Sequence, residues 1–336
     1  MPKVSVFMPV YNAGVYLKEA IESILNQSFT DFEFVIVNDG STDNSREVVL
    51  SYQDNRIKLI DNPQNLGLIA SLNVGLEVCK GEYIVRMDQD DISLPDRILK
   101  QVRFMDDNPE FGLIGSWFED FGDQIQTRTV KYSSNDVQIR IRHLYQTHIS
   151  HPTAVMRSSV VKQNQIRFDP EFVHGEDYNC WVTFSEFCKL SNYPEVLVRK
   201  RDHPTNITNK YAEVMNATCN RVKRRQFEKM GVPISVEEAD LYSRFANPEW
   251  NFNVEEMNAL AALINRLNNA QTENISIPGN LFREYIALKW FHLCYHNLAI
   301  RPKSAKFWRS AEIHSYYKPG WLQLQRMNLR NTGLPV

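Results

Sequence analysis

The first hundred residues alternate short apolar runs with segments whose apolar side chains recur at helical spacing, and nothing else in the chain restricts its fold as tightly. Residues 4–8 form such a run and Pro9 ends it, after which Leu17, Ala20, Ile21, Ile24 and Leu25 mark one face of a helix. The pattern repeats: residues 34–37 read as a strand, Asp43 as the cap of a helix reaching about residue 52, residues 57–60 as a strand and residues 68–78 as a helix. A fourth strand, residues 83–87, runs straight into Asp88, Gln89, Asp90 and Asp91, and Pro95 suits the first turn of the helix that follows. Strands separated by helices make a largely parallel sheet. Such sheets bind ligands beyond the carboxyl ends of their strands, which singles out the loops at residues 9–14, 38–43 and 88–92.

Beyond residue 111 the alternation loosens. Residues 111–118 and 153–156 are strand candidates, and a helix begins near Glu176. From about residue 209 the chain reads as helices, including residues 254–267 and 281–298, with breaks at Pro233, Pro248 and Pro278. The expectation is an α/β domain over residues 1–208 and a helical C-terminal domain over residues 209–336. With 43% hydrophobic residues, the chain has enough apolar surface for one large core or two unequal ones.

Charge and cysteine usage narrow the classes of partner. A formal net charge of −2 provides no global basic field for nucleic-acid phosphates, so no nucleic-acid partner is expected. Cys79, Cys180, Cys188, Cys219 and Cys294 are scattered without Cys-x-x-Cys spacing and read as small buried residues of a reducing cytoplasm. The N-terminus reads as a first strand, not a signal peptide, and no apolar run approaches the roughly 20 residues that a membrane-spanning helix requires. Arg301, Lys303, Lys306, Arg309, Lys318, Arg326 and Arg330 are interleaved with Phe307, Trp308, Tyr316, Tyr317 and Trp321. Two readings of that stretch stay open: a solvated helical face with its aromatics packed inward, or a peripheral contact with an anionic membrane surface.

Asp88, Asp90 and Asp91 gather three carboxylates after a strand too apolar for an exposed edge, and their repulsion calls for a cation. Hard oxygen ligands suit Mg2+ or Mn2+, with substrate phosphates completing the shell. Read alone, the same run is also an Asp-rich turn before a helix. Asp39, at a strand end, is suited to accept hydrogen bonds from a nucleobase imide or ribose hydroxyls, while Asp43 is explained as a helix cap. Tyr11, beside Pro9 and Asn12, is placed to lie against a base, and Asn65, Leu66 and Gly67 offer backbone N–H groups near a helix start to phosphate oxygens. Each of these is an ordinary turn signal too. No Gly-x-Gly-x-x-Gly follows the first strand, and neither a P-loop nor a Gly-x-Ser-x-Gly elbow is present, which argues against dehydrogenases, P-loop NTPases and serine hydrolases. The loop at residues 9–14 contains no Lys or Arg, unlike the basic loop of nucleotidyltransferases.

In order and spacing, Pro9-Val10-Tyr11-Asn12, Asn38-Asp39-Gly40-Ser41-Thr42-Asp43, Asn65-x-Gly67, Arg86-Met87-Asp88-Gln89-Asp90-Asp91 and Gly175-Glu176-Asp177 resemble the motifs of family 2 inverting glycosyltransferases with the GT-A fold, over roughly residues 3–205. The resemblance implies a Rossmann-like mixed, mainly parallel sheet flanked by helices, a UDP-hexose or UDP-N-acetylhexosamine donor, and a glycan or lipid-linked oligosaccharide acceptor in bacterial cell-surface polysaccharide synthesis. It assigns the base to Asp39, the ribose or a metal-bound water to Asp88, and direct ligation of Mn2+ or Mg2+ to Asp90, with His203 near the metal or diphosphate. It gives deprotonation of the acceptor to Asp177, or to Glu176 beside it, and Arg86 is placed to steady the carboxylates or a phosphate. Asn38 departs from the acid that many relatives carry. Acids in a helix's first turn also complement its dipole, His203 also reads as a surface histidine, and His151 reads either as a border of the acceptor pocket or as a core histidine. The alternative function is a non-catalytic sugar-nucleotide or glycan-binding protein of the same fold.

Overall fold

A computed structural model describes residues 1–323 apart from residues 124, 205, 207–210, 248–250, 321 and 322. Strands β1 (Val4–Val10), β2 (Phe32–Asn38), β3 (Ile57–Asp61) and β4 (Tyr83–Arg86) pair in parallel in the order β3-β2-β1-β4. Helices α1 (Leu17–Leu25), α2 (Ser45–Leu50) and α3 (Leu68–Val78) make the crossovers. Every residue of β1 and β2 is buried, as strands covered on both faces must be. Alternate residues of β1 feed opposite layers: Val6 and Met8 join Leu17, Ile21 and Ile24, whereas Phe7 joins Leu72, Leu76 and Trp181.

The sheet continues through β8 (Val155–Arg157), β6 (Phe111–Phe121), β9 (Lys189–Arg201) and β5 (Ile92–Ser93), with β7 (Arg128–Val130) paired to β6. β8 is antiparallel to β4 and β6, while β6 and β9 run parallel. Around it lie α4 (Arg97–Asp107), α5 (Asp136–Arg142), α6 (Ser158–Gln163) and α7 (Glu176–Phe184). The helices α8 (Ala212–Lys229), α9 (Val236–Ala246), α10 (Val254–Asn268), α11 (Gly279–His296) and α12 (Ser304–Ser310) complete the described chain. It forms two compact units, one of the described residues of 1–139 and 147–219, the other of the described residues of 140–146 and 220–323.

The helical unit has its own core, including Phe227, Tyr242, Leu260, Ile264, Trp290 and Phe291. Capping boxes start α9 at Ser235 with Glu238 and α10 at Asn253 with Glu256. Pro233 and Pro278 fall between helices, and Pro248 lies outside the described residues. Phe307 and Trp308 are buried, the Trp308 ring 5.4 Å from that of Phe291. The Arg301 side chain and Trp321, Arg326 and Arg330 lie outside the description. No described helix is long and apolar enough to cross a membrane.

Several expectations need correction. Pro9 lies inside β1, opposite Val37, and does not end it. The carbonyl of Phe7 accepts from Met87 on the β4 side and that of Val10 from Asp39 on the β2 side, so by alternation the nitrogen of Pro9 turns to the β4 side, where pairing has already stopped at Arg86. Pro95 precedes α4 instead of opening it, and Asp43 receives the N–H of Ser45 in an Asx turn one step ahead of α2. Residues 151–153 form a 3-10 turn before β8. The thirteen-residue β9 was absent from the expected elements: Pro194 and Glu195 sit where its register with β6 slips, a bulge that tolerates proline and breaks the alternation.

Two glycines of the strand-end loops have positive φ with different surroundings. A Cβ on Gly14 (φ 58°) would meet nothing, whereas one on Gly40 (φ 65°) would lie 2.5 Å from the carbonyl carbon of Gln64. Gly14→Ala is expected to cost about 1 kcal/mol and Gly40→Ala about 3 kcal/mol in urea unfolding; equal costs would show that the 64–65 backbone yields freely.

Candidate active site

Side chains lace the strand-end loops to one another. Asn12, itself at φ 46°, accepts the N–H of Thr42 at 2.8 Å through Oδ1, and the N–H groups of Ala13 and Gly14 reach Ser45 Oγ and Asp43 Oδ2. Asp39, buried at the end of β2, accepts from Asn62 Nδ2 at 2.8 Å and from the N–H groups of Leu66 and Gly67, each at 2.9 Å. Those bonds account for three of a carboxylate's roughly four lone-pair sites. The N–H of Gly67 also reaches Asn65 Oδ1, and Gly67 (φ 90°) stands at the head of α3. Asn38 spans from Asp61 to the N–H of Ser41.

At the end of β4 the Arg86 side chain is 1% exposed. It donates to Asp88 Oδ1 at 2.6 Å, to the carbonyl of Met87 and to His151 Nε2 at 3.1 Å. Burial works against ionisation of Asp88, but the charge and hydrogen bond of Arg86 outweigh it and hold the carboxyl below its ordinary range. Asp90 and Asp91 behave oppositely: burial raises both, and neighbouring carboxylates raise them further. Asp90 Oδ2 meets His203 Nε2 at 3.0 Å, and Asp91 Oδ1 accepts the N–H of Arg201, so the acidic turn is pinned to the end of β9. Burial and then Arg86 hold His151 well below its ordinary pKa, which makes it a neutral acceptor.

Three residues support the site, of which Arg97 and Gln101 escaped the sequence reading while Gln89 belongs to the acidic motif. Gln89 brackets the Tyr11 backbone, accepting from its N–H at 2.8 Å and donating to its carbonyl. Arg97, fully buried, donates to the carbonyl of Arg86 at 2.7 Å and to Gln101 Oε1, and burial lowers its guanidinium to about 9. Gln101 in turn donates to the carbonyls of Gly115 and Thr153. The available signal was an arginine and a glutamine at i and i+4 on the apolar face of α4, with Ile98, Val102 and Met105.

Glu176 and Asp177 begin α7, where the helix dipole favours carboxylates. Burial and the Asp177 charge raise Glu176 to about 7. Burial raises Asp177 to about 6, with the Asp88 charge adding and Arg86 opposing. Arg86 and Asp88 act electrostatically on both acids, so the fold brings the helix head and the acidic turn into one charged neighbourhood. Glu176 is 6% exposed, while Asp177 is less enclosed and accepts the N–H of Tyr178.

Among the described residues no three His, Cys, Asp or Glu side chains are already grouped as a metal site. Asp90 and His203 form a facing pair, and Asp88 turns to Arg86. This donor set fits a hard divalent ion that draws one or two ligands from protein and the rest from phosphate and water. Such an ion would also relieve the repulsion between Asp88 and Asp90.

The sequence pattern of Glycosyl transferase family 2 matches residues 5–164. An uncharacterized glycosyltransferase of Haemophilus influenzae is 35% identical over 252 residues, 70% of this chain and 77% of that protein. The putative glycosyltransferase EpsE of Bacillus subtilis is 35% identical over 209 residues, 60% of this chain and 73% of EpsE. Among solved structures, S. aureus TarS 1–349 in complex with UDP-GlcNAc is similar with a TM-score of 0.58 at 20% identity, covering 93% of this chain and 91% of that one. The mannosyltransferase PcManGT from Pyrobaculum calidifontis, in complex with GDP-Man and Mn2+, gives 0.54 at 15% identity, covering 98% and 87%. At these identities the structural likeness shows the fold, an α/β arrangement of the GT-A type with a helical C-terminal region.

The raised carboxyl of Glu176 makes stability depend on pH. Because its folded-state pKa lies above the unfolded value, its ionisation opposes folding: the penalty is absent below about pH 4, grows with pH and is complete above about pH 7. Relative to wild type, Glu176→Gln is expected to gain about 1–3 kcal/mol between pH 4 and pH 8 in urea unfolding. A pH-independent difference would place the ionised Glu176 in solvent.

Proposed function

The chain belongs to glycosyl transferase family 2, and on that premise we propose that it is an inverting enzyme moving a hexose or N-acetylhexosamine from a UDP-sugar to a hydroxyl of a glycan or lipid-linked saccharide. The observation that carries this reading is the meeting, around Arg86, of the acidic turn after β4 with the buried acids that head α7. One set suits a diphosphate donor and the other a proton-bearing acceptor. The nucleotide-diphosphate sugars bound by TarS and PcManGT, and the Mn2+ of the latter, support the same donor chemistry here.

In this reading Pro9, Tyr11, Asn12, Asp39, Asn65 and Gly67 hold the nucleoside. The remaining acceptor site on Asp39 Oδ2 takes a base imide, while its other bonds keep the 62–67 loop in place. Asp90 and His203 would hold Mn2+ or Mg2+, and Asp88 would serve the ribose or a bound water. When bound, the cation neutralises charge developing on the leaving diphosphate. The acceptor oxygen attacks the anomeric carbon as the bond to the diphosphate breaks, and a carboxylate takes the hydroxyl proton. Asp177 is the better base: its carboxyl stands at about 6 against about 7 for Glu176, and it is the less enclosed of the two. Residues 1–208 carry this chemistry, and the helical remainder serves the acceptor or a peripheral site at the inner face of the cytoplasmic membrane, in bacterial cell-surface polysaccharide synthesis.

Thermal-shift screening with UDP, GDP, CMP and dTDP sugars, with and without Mn2+, tests the donor assignment; a Mn2+-dependent shift with UDP-sugars is expected, and no shift with any nucleotide refutes it. Asp90→Ala should remain folded yet lose both the Mn2+-dependent shift and transfer. Asp177→Asn should keep the donor shift and lose about 100-fold or more in turnover, and the wild-type rate in Mn2+ should rise with pH to a plateau with its midpoint at or below about 6, since the cation lowers the raised carboxyl. A rise that vanishes in Glu176→Gln instead would transfer the role to Glu176.

A further inference from the structure

His174, two residues before Glu176, holds φ at 61°, a left-handed conformation that non-glycine residues seldom adopt. Its ring stacks on Tyr211 with centroids 4.4 Å apart and planes inclined by 14°. Burial lowers the imidazole, so at neutral pH the pair presents uncharged aromatic surface. Tyr211 is 37% exposed, and Val173 and Val214 are 44% and 48% exposed. The turn is braced from α8: Thr218 Oγ1 donates to the carbonyl of Val173 at 2.9 Å, and Gly175 packs so closely that a Cβ there would lie 2.8 Å from Thr218 Cγ2. Val214 precedes Thr218 by four residues, so the two share one face of α8. A rigid aromatic pair edged by exposed apolar side chains therefore adjoins the buried acids at the head of α7.

We propose that His174 and Tyr211 form the acceptor subsite, a platform on which a hexopyranose of the acceptor rests its C–H face while its hydroxyl rim faces Asp177. The proposal rests on the glycosyl-transfer reading. A sugar ring has an apolar face and a polar edge. Flat aromatic surface holds the face without consuming hydroxyls, leaving one for deprotonation. The strained backbone at His174 fits such a role, because it fixes the ring at a site where the chain gains no conformational ease from doing so.

The test is saturation-transfer NMR with the methyl glycosides of common hexoses and N-acetylhexosamines, in the presence of UDP and Mn2+. It compares wild type with Tyr211→Ala, Tyr211→Phe and His174→Gly. At least one methyl glycoside is expected to bind wild type through its ring C–H protons. Its Kd should rise about tenfold in Tyr211→Ala and His174→Gly but stay within about twofold in Tyr211→Phe. Thermal shifts by UDP and UDP-sugars should be unchanged in all three variants. Binding of no glycoside by wild type, or binding indifferent to Tyr211→Ala, overturns the platform. Loss in Tyr211→Ala of the extra shift of a UDP-sugar over UDP assigns the surface to the donor's sugar and overturns it equally. Absence of any nucleotide shift in wild type refutes the transfer reading itself, so the two fail on different measurements.

Discussion

Arg86 places a guanidinium in the interior at the end of β4, and the charges around it are arranged by what that cation requires. An isolated buried cation is strongly unfavourable, and its burial is tolerated only with compensating partners. Asp88, the carbonyl of Met87 and the Nε2 of His151 supply them. Because His151 accepts through Nε2, its proton belongs on Nδ1, and burial together with the same guanidinium keeps the imidazole from taking a second one. A second buried guanidinium, Arg97, holds the Arg86 carbonyl from below. The acidic turn thus rests on two cations but shares them unevenly: Asp88 is stabilised as an anion, while Asp90 and Asp91 are pushed toward their neutral forms. Among the described residues the buried Asp91 Oδ2 has no hydrogen-bond partner.

Order at the neighbouring strand ends comes from side chains standing in for sheet and helix partners. Fixing one loop residue costs roughly 1–2 kcal/mol in backbone entropy, and one hydrogen bond returns about 1 kcal/mol. A loop held by its own turn alone would stay mobile. Here Asn12 reaches the loop after β2, Asp39 reaches the loop before α3, and Gln89 returns from the acidic turn to Tyr11. Gly40 lets two of these loops touch, its missing Cβ being replaced by the backbone of Gln64 and Asn65.

How far these features could be read from sequence depends on whether the signal is local. The helix at residues 68–78 was legible to the residue because Gly67 precedes its apolar periodicity. The acidic turn and the head of α7 were legible as motifs, since their residues are adjacent in the chain. β9 was not, because a strand paired on both sides can keep polar residues such as Asn192 and Arg199 if other segments satisfy them: Asn192 donates to the carbonyls of Ser133 and His148, and Arg199 pairs with Glu119. Nor could the sequence alone show that Asp39 spends most of its carboxylate on the 62–67 loop. That depends on how closely two loops approach, and no periodicity encodes such a distance.

The head of α7 shows a conflict between local and tertiary forces. Two acids in a first turn are what the helix dipole favours, and on an exposed helix both would stay ionised. Folding buries them beside Asp88 instead, and the carboxyls rise to about 7 and 6, so burial and like charge prevail over the dipole and over Arg86. Adjacent acids that repel one another titrate as a pair, each ionisation hindering the next. Such a pair takes up a proton near neutrality without a histidine, and its set point depends on the Asp88 charge. Any ligand that neutralises the acidic turn must then lower both carboxyls and make the pair more fully ionised. Charge compensation on one side of the site would thereby prepare the base on the other.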